Sequence, residues 1–303
     1  MASPGRPLGP GQRAPDFVLP RRDGTPTRFY AIAGGRPAVL VFRDGEVSLY
    51  DVDLPAPLEV LADLEGMVSA TYGATDRATA YVLDPNLRVL GMLELGDGEL
   101  ASAQVHALLD GAMPVLAPVL LVPHVLSEQA CAWLIDLWAA QDTRATGVEA
   151  TQEGQRKEVL SDAHKRRRDH TVTDPQVSGR IAGTVGRALM PELRKAFAYH
   201  ATRFEGFKIG CYDAATGGFF RPHRDNLSPA TAHRRFALTL NLNDDYSGGQ
   251  LRFPEYGPHL YRPPAGGALV FSCSLLHEVL DITEGRRFVL LSFLYGDEDS
   301  RQR

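Results

Sequence analysis

The stretch from Arg287 to Tyr295, RFVLLSFLY, is apolar at odd and even positions alike. A strand of that kind is buried on both faces, so it demands a sheet on either side of it and cover above and below. It also opens on an arginine. A guanidinium taken out of water without a counter-charge is costly, so Arg287 requires an anionic partner inside the fold or a place at the strand's mouth. Arg286 alternates to the other face and is expected in solvent.

The sheet partners for such a strand are legible upstream. RFEGFKIGCYD, FALTLNLN, GQLRF, HLYRPP and ALVFS are short strand-like runs separated by Gly, Pro and Asp. Along FALTLNLN, Phe236, Leu238, Leu240 and Leu242 share one face, and Ala237, Thr239, Asn241 and Asn243 the other. Two helices precede them. Ser127 caps one running from Glu128 to about Ala140, with Leu134, Leu137 and Trp138 toward the sheet; a longer one covers about Gln176 to His200 and contains Pro191. Many short strands after two helices predict a β-sandwich or barrel with helices on one face, an α+β unit.

The first third reads differently. A loose Gly- and Pro-rich lead-in is followed by the buried strand PAVLVF, an expected helix at PLEVLADLEG, the hairpin ATAYVLD and LRVLGMLEL around Pro85-Asn86, and a helix at SAQVHALLDG. AMPVLAPV, residues 112–119, carries two prolines and marks the junction, which divides the chain into units 1–112 and 113–303.

Charge narrows the partners. Lys and Arg number 32 against 37 Asp and Glu, a net charge of -5, so there is no basic field for nucleic acid or an anionic membrane. The most basic run, HKRRRDH, is expected as a solvated strand or loop near a site mouth. The start lacks a signal-peptide core and no apolar run reaches membrane-spanning length, which predicts a cytoplasmic protein. Cys131, Cys211 and Cys273 are too few and too scattered for a disulfide framework or zinc cluster and read as buried small hydrophobes.

The chemistry gathers at FFRPHRDN. Alternate residues of a strand share a face, so His223 and Asp225 can aim an imidazole and a carboxylate at one point, and His277 on a later strand can supply a third ligand. Two His and one carboxylate on one side of a metal is the set that holds non-haem Fe(II) with positions left open.

Two resemblances extend this reading. GQRAPDFVLPRRDG, PAVLVF and RATAYVLDPNLRVL resemble the peroxiredoxin branch of thioredoxin-like α/β domains. That branch places a reactive Cys in the loop and helix after the central strand. No cysteine precedes Cys131 here, so a thiol peroxidase is excluded and a degenerate domain used for packing or binding is expected.

CYDAATGGFFRPHRDN, RRFALTLNLNDDYSGGQLRF and PPAGGALVFSCSLLHEVLDITEGRRFVLL are similar to the prolyl 4-hydroxylase-like branch of the Fe(II)/2-oxoglutarate-dependent dioxygenases. The similarity covers about residues 117–296. It implies a double-stranded β-helix, or jelly roll, with His223, Asp225 and His277 on iron. Arg287 would bind the distal carboxylate of 2-oxoglutarate, and Tyr212 and Asn241 are cosubstrate-pocket candidates. The implied reaction consumes O2 and 2-oxoglutarate, releases succinate and CO2 and hydroxylates a peptide, amino-acid or small-molecule substrate, with ascorbate as a candidate reductant. The alternative is a non-catalytic binding or regulatory protein that uses its redoxin-like domain and carries an inert jelly roll. Residues 141–175, 226–234 and 254–261 are the loops expected to set the substrate.

Overall fold

The computed structural model describes residues 8–52, 56–75, 77–95, 102–110, 115–140, 144–145, 148–152, 155–159 and 163–299. It divides into two compact units, Met1–Ala117 with Phe253–His259, and Pro118–Arg252 with Leu260–Arg303. The second unit thus begins at Pro118 rather than at residue 113. The expected junction lies partly outside the described residues.

The N-terminal unit is built on a five-stranded sheet. Its strands are β1 (Ala38–Arg43), β2 (Glu46–Asp51), β3 (Pro57–Ala62), β4 (Thr79–Leu83) and β5 (Val89–Glu94), in the order β3-β2-β1-β4-β5. Every neighbouring pair is antiparallel. The PAVLVF run forms the buried centre, with Val39, Leu40 and Phe42 at 0–1% exposure. Two expectations are corrected here. PLEVLADLEG supplies a strand, not a helix: β3 pairs with β2, Val60 opposite Ser48 and Leu61 opposite Val47, and this buries Leu61. The loop and helix implied after the central strand are replaced by a hairpin. Asp44 and Gly45 both take positive φ, 50° and 77°, the geometry of a type I′ turn, which sends the chain straight back beside β1.

The segment Phe253–His259, which holds most of the expected substrate-setting loop 254–261, packs within this N-terminal unit. Arg13 Nη1 donates to the Glu255 carbonyl at 2.6 Å and its guanidinium lies over the Tyr256 ring. Gly35, at φ 73°, approaches so closely that a Cβ there would stand 2.2 Å from the Gly257 carbonyl oxygen.

In the C-terminal unit the larger sheet contains β6 (Val119–Val122), β8 (Arg168–Val172), β9 (Phe207–Asp213), β11 (Phe236–Asn241), β14 (Ala268–Ser272) and β16 (Ile282–Tyr295), in the order β6-β14-β11-β16-β9-β8. The smaller sheet contains β7 (Lys165–Arg166), β10 (Phe219–His223), β12 (Leu251–Arg252), β13 (Leu260–Tyr261) and β15 (His277–Val279), in the order β7-β10-β15-β12-β13. All these pairs are antiparallel, the two-sheet jelly-roll arrangement.

Two helices cover the outer face of the larger sheet. One is Glu128–Ala139, capped by Ser127 accepting from Ala130 N at 3.2 Å. The other is Pro175–Phe197, capped by Asp174 accepting from Gln176 N and Val177 N, with a proline at its first turn where no donor is lost. Ile181, Val185, Leu189 and Leu193 recur every four residues as one buried stripe. They meet Leu238 and Leu240 of β11, Val270 of β14, and Phe288, Leu290 and Leu294 of β16. Each such side chain contributes about 1.5–3 kcal/mol by leaving water. Because β-strands alternate, this outer packing drives Thr239, Asn241 and Arg287 to the opposite face, into the space between the sheets.

Candidate metal centre

The two histidines meet because β10 and β15 are neighbours: His223 ends one strand, His277 begins the other, and they stand directly opposite each other. Asp225 follows in the loop, its N–H donating to the Cys273 carbonyl at 3.0 Å. One potential ligand atom from each of the three lies within 4.8 Å of the others. Asp225 Oδ1 is 3.5 Å from His223 Nε2 and Oδ2 is 3.4 Å from His277 Nε2. Neighbouring ligands about 2.1 Å from an octahedral ion are about 3 Å apart, so this spacing accepts one.

The protonation states suit a metal as well. His223 Nδ1 donates to the Arg221 carbonyl at 2.8 Å, and His277 Nδ1 to the Leu275 carbonyl at 3.0 Å. A carbonyl only accepts, so each proton sits on Nδ1 and each Nε2 lone pair faces Asp225. Burial, reinforced by the neighbouring His223, pushes His277 down to about 4, so the ring is neutral at physiological pH. Burial alone would raise Asp225, but His277 and His223 outweigh it and hold the carboxyl down at about 2. The result at this pair is a neutral His277 imidazole beside an Asp225 carboxylate. Phe220 stacks on His223 with ring centroids 3.6 Å apart, and Phe271 packs edge-on to His277, fixing both ring planes.

Arg287 lies inside the fold at 1% exposure, so an anionic partner rather than a strand mouth is what its burial requires. Nη2 donates to Asn241 Oδ1 at 2.9 Å and Nε to the same oxygen at 3.2 Å. Nη1 is buried and has no hydrogen-bond partner among the described residues. An orphaned guanidinium nitrogen in an enclosed site is the feature a carboxylate would satisfy. Gly285, at φ 69°, lets the strand pass so close to its neighbour just before Arg287 that a Cβ there would stand 2.7 Å from the Asp245 carbonyl oxygen. Arg286 is exposed, as expected.

Tyr212 is paired directly opposite Arg287, its ring centroid 5.6 Å from the guanidinium carbon. Asn241 plays a different part. Its Nδ2 donates to Tyr246 Oη and the Pro263 carbonyl while its Oδ1 accepts from Arg287, so its polar atoms are engaged in holding Arg287. The polar face of FALTLN does not meet water; every residue of β11 is buried.

The basic run is also corrected. Lys165 and Asp169 are buried, and Arg167 is tucked between the sheets as a fork on Asp169. His164, Arg166 and Arg168 alternate to solvent. The strand pairings Lys165–Phe220 and Asp169–Gly210 impose this, and a run of charges alone does not show which side chains turn inward. A second buried pair was not signalled in the sequence: Arg234 forks on Glu205 and reaches the Asp225 carbonyl at 3.3 Å, bracing the metal-facing loop. Its partner lies 29 residues upstream, a distance no local pattern spans.

No described helix is long and apolar enough to cross a membrane. Cys131, Cys211 and Cys273 are buried and free, and burial pushes the Cys211 thiol up to about 12.

The chain is similar to known proteins over part of its length. Residues 207–295 match the family described as the 2OG-Fe(II) oxygenase superfamily. A PKHD-type hydroxylase of Synechococcus sp. (strain JA-2-3B'a(2-13)) is 31% identical over 93 residues, 28% of this chain and 41% of that protein. One of Caulobacter sp. (strain K31) is 34% identical over 84 residues, 26% of this chain and 37% of the relative. The chain therefore spans about two fifths of the length of these curated relatives. A Pseudomonas putida prolyl-4-hydroxylase structure overlaps 59% of this chain and 93% of its own, at 19% identity and a TM-score of 0.46. The family match falls on β9 through β16 and contains the two histidines, the aspartate and Arg287, so this region of the C-terminal unit is similar to the 2OG-Fe(II) oxygenase superfamily.

Proposed function

We propose that this chain is an Fe(II)- and 2-oxoglutarate-dependent dioxygenase that hydroxylates a C–H bond of a peptide, amino acid or small molecule, releasing succinate and CO2. The observation that carries the reading is the pairing of two sites on facing sheets: a partly buried His-Asp-His cluster ready for a metal, and a buried Arg287 whose Nη1 lacks an acceptor. The relatives' name, PKHD-type hydroxylase, points the same way.

His223, His277 and Asp225 would hold the ion through two imidazole nitrogens and one carboxylate oxygen, a set that suits ferrous iron. Bound Fe(II) with 2-oxoglutarate would supply O2 activation and the oxidising power for hydroxylation. The chain's own residues do the rest. Arg287 would fix the far carboxylate of 2-oxoglutarate, and Asn241 holds Arg287 in place. Phe220 and Phe271 hold the planes of the two imidazoles.

Anaerobic addition of Fe(II) and then 2-oxoglutarate should produce a visible charge-transfer band, and admitting air should yield succinate. A protein that shows neither, across a panel of candidate substrates, is not this enzyme. Asp225→Ala should abolish the band and the succinate; biological function that survives Asp225→Ala would instead favour a binding or regulatory role.

A further inference from the structure

The interior holds a side-chain cluster that the metal and Arg287 do not account for. Arg167 grips Asp169 through two parallel bonds, Nε to Oδ1 at 2.6 Å and Nη2 to Oδ2 at 2.8 Å. Side-chain exposures are 8% and 0%, and Lys165 Nζ stands 3.7 Å from the same carboxylate. The arm left over, Nη1, donates to Tyr212 Oη at 3.1 Å. Room for the fork is made in β9: Gly210 sits opposite Asp169, and a Cβ there would come within 2.9 Å of both Arg167 Cδ and Asp169 Oδ1. Glycine weakens a strand interior, and here it clears the floor beneath an ion pair.

A guanidinium has no acceptor, so in this contact the tyrosine oxygen must accept. A hydroxyl has one proton, and with its oxygen engaged by Arg167 that proton is turned toward another acceptor. Among the described residues Tyr212 Oη makes no other hydrogen bond. Directly across the strand pair, Arg287 Nη1 also lacks an acceptor. Two donors without acceptors on one cross-strand pair, both inside the fold, make a receptor for one carboxylate.

We propose that Arg167, locked by Asp169, is a positioning residue that holds the Tyr212 hydroxyl as a donor to the same cosubstrate carboxylate that Arg287 binds. This rests on the 2-oxoglutarate reading above. It gives the buried part of the basic run a role behind the pocket, one that acts through Tyr212 without touching the ligand.

The test is a double-mutant cycle on the full chain. Loaded with Mn(II) in place of iron and kept free of oxygen, it is titrated calorimetrically with 2-oxoglutarate as wild type, Arg167→Met, Tyr212→Phe and both together. Each single change should weaken binding about tenfold, the scale of one hydrogen bond, and the double variant should be no weaker than Tyr212→Phe alone. Gly210→Ala should reproduce the Arg167→Met loss by displacing the fork. If Arg167→Met does not fold, Arg167→Lys keeps a cation on Asp169 without the second arm and carries the same expectations. Full affinity in the Arg167 variant, or losses that multiply in the double variant, overturns the positioning role while leaving the cosubstrate reading intact. A wild-type protein that does not bind 2-oxoglutarate overturns both.

Discussion

Replacing Arg287 with methionine tests the cosubstrate anchor most directly. The side chain is buried and linear, so methionine fills much the same volume without the charge. In the free protein two effects oppose each other. Removing a buried cation relieves its desolvation, while Asn241 Oδ1 loses the two donors that now reach it, at a cost of about 1–3 kcal/mol. The melting temperature of the free protein is therefore a poor readout. The ligand-induced shift is a good one.

Losing a charge-assisted contact and its guanidinium costs about 3–5 kcal/mol of binding, a weakening of at least about a hundredfold. At 2-oxoglutarate one hundred times the wild-type Kd, wild type gains about 2.7 kcal/mol, or about 5–10 °C for a unit of this size. The same concentration is then about one Kd or less for the variant, worth at most about 0.4 kcal/mol and about 1 °C. Differential scanning fluorimetry with Mn(II), with and without 2-oxoglutarate, reads both numbers. A variant that keeps the full shift would show that Arg287 does not anchor the cosubstrate.

Three further outcomes follow from the packing and charge. Leu189 is completely buried in the helix–sheet core, so Leu189→Ala should cost about 2–5 kcal/mol in urea unfolding. Asp299 accepts from Arg235 Nε at 2.6 Å and from Tyr199; burial alone would raise its carboxyl, but these bonds outweigh that and lower it. A carboxylate depressed in the folded state stabilises above its unfolded pKa, about 3.9, and loses that contribution as pH falls through the folded value. Asp299→Asn should therefore lower the urea midpoint at pH 7 and flatten its decline below about pH 4. The three cysteines are buried, with Cys131, Cys211 and Cys273 all raised by burial, so a thiol reagent should label none in the folded protein and all three in guanidinium.

The site was legible because its residues are close in sequence or sit in apolar strands that isolate them. His223 and Asp225 stand two residues apart, and Arg287 stands out as a charge opening an apolar run. The N-terminal sheet was less so. PLEVLADLEG places Leu58, Val60, Leu61 and Leu64 at spacings that fit a helix as well as a strand, and pairing with β2 decided between them. The clearest local signal there, Asp44-Gly45 between strand-like runs, is the turn that makes the hairpin.

By itself the sequence determined which residue types could form the metal cluster, that an arginine opening an apolar strand needed either an anion or a place at the strand's mouth, that no thiol chemistry arises in the first third of the chain, and that a net charge of -5 supplies no basic field. Those conclusions depend on side-chain chemistry and local periodicity, which a linear string preserves. Only the tertiary structure decided that His223 and His277 face each other, that Asn241 serves Arg287, and that Arg167 turns inward to Tyr212 across a gap left by Gly210. Each of these depends on the register between strands far apart in the chain, and register is set by the packing of whole sheets.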